Sequence, residues 1–286
     1  MNNIKVFVST GYYKNISPIK TLKYLSKKNI NDIEFSGGLP MSTKGEKKFF
    51  DSLNGKNIKL HNYFPPPKKK FVINLASKDE NILKKSINHV KKSIIYSKKI
   101  NSKYFSFHAG FRIDPGVKKL GKKFKKVKMT EKKVSENIFL KSVKKISSFA
   151  LKHNIKILVE NNVINKKNLY TFEGNPLLLT HPRDILKFFN KTPSNVGFLL
   201  DVGHLKVSAK TEKFNLIQSL KKLNKIVIGY HLSDNDFIED RNLGFSKNSW
   251  FMKFLRKDLD YYTIEVYDKN INKIKRIKNF LEKRFN

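Results

Sequence analysis

Val196-Gly197-Phe198-Leu199-Leu200-Asp201-Val202-Gly203-His204 decides the reading of this chain. Residues 196–201 form an apolar run short enough for a strand buried on both faces. The run ends on an acid, and His204 follows three residues later. A carboxylate at the end of a buried strand is costly unless it is paired or coordinates a metal. On its own, Asp201 reads equally well as the cap of a following helix.

The same design recurs outward in both directions. Short apolar, β-branched runs stand at 4–9, 32–36, 58–61, 104–108, 155–160, 226–231 and 262–267. Helical patterns alternate with them. Ser17-Pro18 supplies an N-cap followed by proline at the first helical position. Stretches 81–98, 131–153, 181–189, 215–223, 250–255 and 271–285 place apolar residues at three- and four-residue spacing. Strands alternating with helices in this way predict a (β/α)8 TIM barrel, with residues 1–286 forming one domain. The connections 111–129 and 161–180 are long, and both leave C-terminal strand ends, where a barrel carries its active site.

Polar residues collect at those ends. The third strand ends at His61, the fourth at His108, the fifth at Glu160, the sixth at Asp201 and the seventh at His231, and the eighth carries Glu265. Six consecutive strands ending this way point to one shared site. Carboxylate oxygens mixed with imidazole nitrogens suit Mn2+, Mg2+, Co2+ or Zn2+, and we place Mn2+ first. His89 and His153 read as helix packing or surface residues, and His181 as a helix start.

The composition sets limits. Lys and Arg number 60 against 23 Asp and Glu, a formal net charge of +37. Only Arg112, Arg183, Arg241, Arg256, Arg276 and Arg284 are arginine. Lys, Asn and Ile share AT-rich codons, so coding bias accounts for much of the excess. A surface built for phosphate or guanine would favour the planar guanidinium. Nucleic acid is therefore the lesser expectation, and the dense run 118–128 reads as a solvated loop. Cysteine is absent, which excludes disulfides, thiolate zinc sites and a cysteine nucleophile. The opening residues lack a secretory pattern, and no membrane-length apolar run occurs. A soluble cytoplasmic protein without a membrane partner is expected.

Together, Val159-Glu160-Asn161, Asp201-Val202-Gly203-His204, His231-Leu232-Ser233-Asp234-Asn235 and Ile264-Glu265 resemble the xylose-isomerase-like TIM-barrel superfamily. The superfamily holds sugar isomerases and epimerases as well as AP endonucleases of the endonuclease-four type. In the epimerase branch the resemblance implies one divalent ion held by Glu160, Asp201, His231 and Glu265. It implies proton transfer by Glu160 and Glu265, and contact with substrate oxygens by His204 and Arg241.

Lys206, His108 and His61 are added here as candidate substrate contacts. Tyr12, Phe64 and Trp250 are candidate walls for a sugar face, with core packing the expected role. The chemistry implied is abstraction of a proton beside a carbonyl, with the resulting enediolate charge stabilised by the metal. A small sugar or sugar phosphate is the expected partner, and a homodimer is in keeping with this group of barrels.

The endonuclease branch is the alternative, a metal-dependent AP endonuclease or phosphodiesterase. All but one of its zinc-ligand positions are matched, by His61, His108, Glu160, Asp201, His204, His231, Asp240 and Glu265. Asn242 stands where the remaining one, a His, is expected. A second metal would fall to His61, His108 and Asp240. The turns after the first and fifth strands, Ser9-Thr10-Gly11-Tyr12-Tyr13 and Asn161-Asn162-Val163-Ile164, depart from the endonuclease pattern and favour the small-molecule branch.

Overall fold

Eight parallel strands pair in sequence order and close on themselves. They are β1 (Val6–Ser9), β2 (Asp32–Phe35), β3 (Asn57–His61), β4 (Tyr104–His108), β5 (Lys156–Glu160), β6 (Val196–Asp201), β7 (Val227–Leu232) and β8 (Tyr262–Ile264). Closure is the register Val6 to Tyr262, Phe7 to Thr263 and Val8 to Ile264 between β1 and β8. The computed structural model describes residues 4–119 and 123–286. Residues 120–122 of the basic run 118–128 lie outside the described residues.

The helices are α1 (Pro18–Lys27), α2 (Thr43–Asp51), α3 (Glu80–Lys99), α4 (Lys132–Leu151), α5 (Lys166–Phe172), α6 (Pro182–Phe189), α7 (Val202–Glu212), α8 (Leu216–Leu223) and α9 (Ile271–Phe285). Local chemistry starts several of them. The side chains of Ser17, Ser42, Asp79 and Asn215 each accept a backbone N–H of the first turn. His181 starts α6 in the same way, through Nδ1 accepting from the Arg183 amide. The expected helix at 250–255 is instead a 3-10 turn, Met252–Phe254, because Phe251 and Met252 are drawn into the core.

The main core lies between the barrel and its helices, where strand residues such as Ile33, Phe35, Phe105, Phe107, Ile157, Val159 and Phe198 face outward. Inside the barrel a smaller apolar cluster is built on Leu158, Leu199 and Tyr261. Lys59 is buried beside it, its ammonium donating to the Asp260 carbonyl at 2.8 Å and lying 3.7 Å from the Tyr261 ring centroid and 4.1 Å from that of Phe7. Alternation along each strand then carries the next interior positions toward the C-terminal mouth. Leu158 is followed by Glu160, Leu199 by Asp201, Gly229 by His231, and Tyr261 by Thr263 and Glu265. Among the described residues, no helix is long and apolar enough to cross a membrane.

Candidate metal centre

Glu160, Asp201, His231 and Glu265 come from the ends of β5 to β8, and their ligand atoms lie within 4.8 Å of one another. All four residues are buried. Asp201 divides its carboxylate: Oδ1 accepts the His204 amide at 2.7 Å and caps α7, while Oδ2 is buried without a hydrogen-bond partner. Both Glu160 oxygens and Glu265 Oε2 are also buried and unpartnered. His231 Nδ1 lies 2.7 Å from Glu265 Oε2 and 3.4 Å from Glu160 Oε2, without hydrogen-bond geometry. Buried polar atoms left unsatisfied in this number need an ion, a proton or water. Oxygen and imidazole donors converging on one point fit a divalent cation.

The electrostatics agree. Burial, assisted by Glu160, Glu265 and Asp240, pushes the Asp201 carboxyl up to about 7, against the pull of His204. Burial also acts to raise Glu160, but His108, His231 and His61 hold it well below the ordinary carboxylate range. Burial opposes charge on His231, yet Glu34, Glu160 and Glu265 raise it well above the usual imidazole value. Three carboxylates share this cluster with one imidazole.

The remaining candidates divide into two groups. His61 Nε2 and His108 Nδ1 stand 3.5 Å and 3.7 Å from Glu160 Oε2, and these three residues form a second cluster of ligand atoms within 4.8 Å. His204 bridges the Asn161 carbonyl, 2.9 Å from Nδ1, and Asp240, 3.2 Å from Nε2. Lys206 is turned away to Asp234, which accepts its ammonium at 2.6 Å, and lies over the Phe237 ring. Arg241 projects from the rim and pairs with Asp236 at 3.3 Å. Asn242, which stands at the ninth ligand position of the endonuclease pattern, is buried with Oδ1 unpartnered. Phe64 packs against Phe35 and Phe49 in the core, and Trp250 against Phe251, whereas Tyr12 is exposed.

Sequence reading missed Glu34. It is fully buried at the end of β2, with Oε1 2.9 Å from His231 Nε2 and Oε2 accepting the hydroxyls of Tyr261 and Thr263. Burial acts to raise its carboxyl, but His231, His61 and Tyr261 bring it down to about 2. The signal was present: an acid at an interior position of a buried strand, Asp32-Ile33-Glu34-Phe35, carries the same cost that singled out Glu160.

Fold and site define a (β/α)8 barrel with a carboxylate–imidazole centre at its C-terminal mouth. The profile of the xylose isomerase-like TIM barrel family matches residues 28–283, and the chain belongs to that family. Solved structures share the fold at low identity. A D-tagatose 3-epimerase-like protein superposes with a TM-score of 0.69 at 19% identity, over 98% of this chain and 97% of that one. A 3-keto-D-glucoside 4-epimerase from E. coli gives 0.68 at 11% identity, over 98% and 99%. A Thermus thermophilus protein soaked with zinc chloride gives 0.60 at 13% identity, over 98% of each chain. A search of curated proteins finds no match.

Proposed function

We propose that the protein is a divalent-metal-dependent isomerase or epimerase of a sugar or sugar phosphate. The observation that carries this reading is the convergence of unpartnered Glu160, Asp201, His231 and Glu265 ligand atoms at the barrel mouth. These four residues would hold the cation, Mn2+ first. When bound, it supplies electrostatic stabilisation of the negative charge that develops on a substrate carbonyl oxygen. The sugar epimerases among the solved structures of this fold agree with that chemistry.

Proton movement falls to the two glutamates. Glu160 and Glu265 stand on strands three apart around the ring, so they approach a substrate between them from different sides. One carboxylate takes the proton beside the carbonyl and the other returns one, on the opposite face or at the next carbon. His204 is fixed at Nδ1 by the Asn161 carbonyl, and its Nε2, 3.2 Å from Asp240, is the nitrogen a substrate hydroxyl would meet. The test is deuterium exchange from D2O into a panel of ketoses and ketose phosphates with Mn2+ present. Exchange by the wild type and its loss in Glu265→Gln are expected. Full turnover by Glu265→Gln on a substrate the wild type converts would refute the two-glutamate scheme.

One observation favours a second reading, a phosphodiesterase with more than one metal: the additional His61, His108 and Glu160 cluster. Two or three zinc ions per chain, with cleavage of abasic-site DNA, would reverse the order.

A further inference from the structure

Glu34 lies outside the proposed ligand quartet but reaches two histidines through its two oxygens. On one side the proton positions follow a chain of single donors. The Tyr261 hydroxyl donates to Glu34 Oε2. Its one proton is thereby used, so the Tyr261 oxygen accepts from Ser106 Oγ at 2.9 Å. Ser106 has then used its own proton and accepts from His61 Nδ1 at 2.9 Å. The proton of His61 is fixed on Nδ1, and Nε2 is left to face Glu160 Oε2.

On the other side Glu34 Oε1 lies 2.9 Å from His231 Nε2, a close charge contact without hydrogen-bond alignment, and His231 Nδ1 faces Glu160 and Glu265. With a cation in the quartet, Nδ1 gives its lone pair and the remaining ring proton stays on Nε2 against Glu34. Gly229 leaves the room this arrangement needs, since a Cβ there would come 2.7 Å from Tyr261.

We propose that Glu34 is a positioning residue that sets two histidines in opposite tautomers, His61 as Nδ1–H through Tyr261 and Ser106, and His231 as Nε2–H directly, so that both bare nitrogens face Glu160. The His231 half rests on the proposed cation, and the His61 half does not.

The test reads tautomers by long-range 1H–15N spectra of histidine-labelled protein, metal-free and loaded with Zn2+, a diamagnetic probe. Wild type is expected to show His61 as Nδ1–H in both states and His231 as Nε2–H when loaded. Tyr261→Phe breaks only the relay. It frees the Ser106 proton for His61 Nδ1, so His61 is expected to shift to Nε2–H while His231 is unchanged.

Glu34→Gln has one acceptor oxygen where two are needed. A tautomer change in at least one ring is expected, with Zn2+ affinity, read by chelator competition, falling about ten- to a hundredfold. Wild-type His61 found as Nε2–H, or a His61 tautomer indifferent to Tyr261→Phe, overturns the relay, and this arm stands even if Glu34→Gln does not fold. His231 found as Nδ1–H in Zn2+-loaded wild type, or both tautomers and Zn2+ affinity unchanged in folded Glu34→Gln, overturns the His231 half. A wild type that binds neither Mn2+ nor Zn2+ removes the proposed function and the His231 half together, while the metal-free His61 spectrum still decides the relay.

Discussion

Asp201 caps the helix that carries His204: Oδ1 accepts the His204 amide at 2.7 Å while Oδ2 is turned, unpartnered, toward Glu160, His231 and Glu265. One carboxylate therefore serves folding with one atom and the candidate centre with the other. The two uses separate by substitution. Asn is as good an N-cap as Asp, whereas Ala forfeits the cap at a cost of about 1 kcal/mol. Asp201→Asn is expected to melt within a few degrees of wild type in metal-free buffer and to lose most of its metal affinity. Asp201→Ala should lose both. Thermal melts with and without Mn2+ distinguish them, and an Asn variant that binds Mn2+ like wild type would contradict the ligand role.

Cation binding should stabilise the fold. A ligand at a thousand times its Kd adds about 4 kcal/mol to stability. For a chain of this size that raises the melting temperature by on the order of 10 °C. Saturating Mn2+ is expected to do so, EDTA to reverse it, and His231→Gln to abolish it. A wild-type melting temperature indifferent to every divalent ion would count against the site.

Lys59 gives a pH prediction that needs no bound cation. Its burial drives the ammonium down to about 7, and the attraction of Glu34, Asp260 and Asp32 only partly offsets this. The unfolded chain keeps the proton to about 10.4. Between those values the unfolded state binds the proton more tightly, so this residue adds stability as pH rises and removes it as pH falls toward 7. The limit is about 1.4 kcal/mol per pH unit. In urea titrations at pH 7.5 and 9.5, wild type is expected to gain roughly 2 kcal/mol on Lys59→Met across the interval. Parallel profiles would show that Lys59 stays charged in the barrel.

Gly229 is a packing requirement. Its Cβ position lies 2.7 Å from Tyr261 Cβ and 2.9 Å from the Tyr261 carbonyl, so a methyl must displace backbone as well as ring. Gly229→Ala is expected to cost about 1–3 kcal/mol in a denaturant titration. A neutral substitution would mean that the Tyr261 position is not held as tightly as the structure shows.

Much of the fold was legible because each barrel strand is buried on both faces and reads as a short apolar run. The clustered polar ends were legible because a charge at a buried position needs a reason. Other features carried no such signature. In α7, Val202 through Ala209 are all buried, so no polar stripe marks a helix period. In α2 only Phe49 is buried, and in α5 only Asn168 and Phe172, leaving little pattern to read. Stretch 250–255 has helical spacing, but its apolar residues serve the core. Arg241 is a candidate substrate contact through the family resemblance, and Lys206 through its basic side chain. Their ion pairs with Asp236 and Asp234 are set by the loop's own conformation, which spacing does not encode.

The most direct measurement is elemental analysis of purified protein after dialysis against Mn2+. One ion per chain is expected in wild type and close to none in His231→Gln or Asp201→Asn. No bound ion in wild type, or an ion retained in full by both variants, would contradict that expectation.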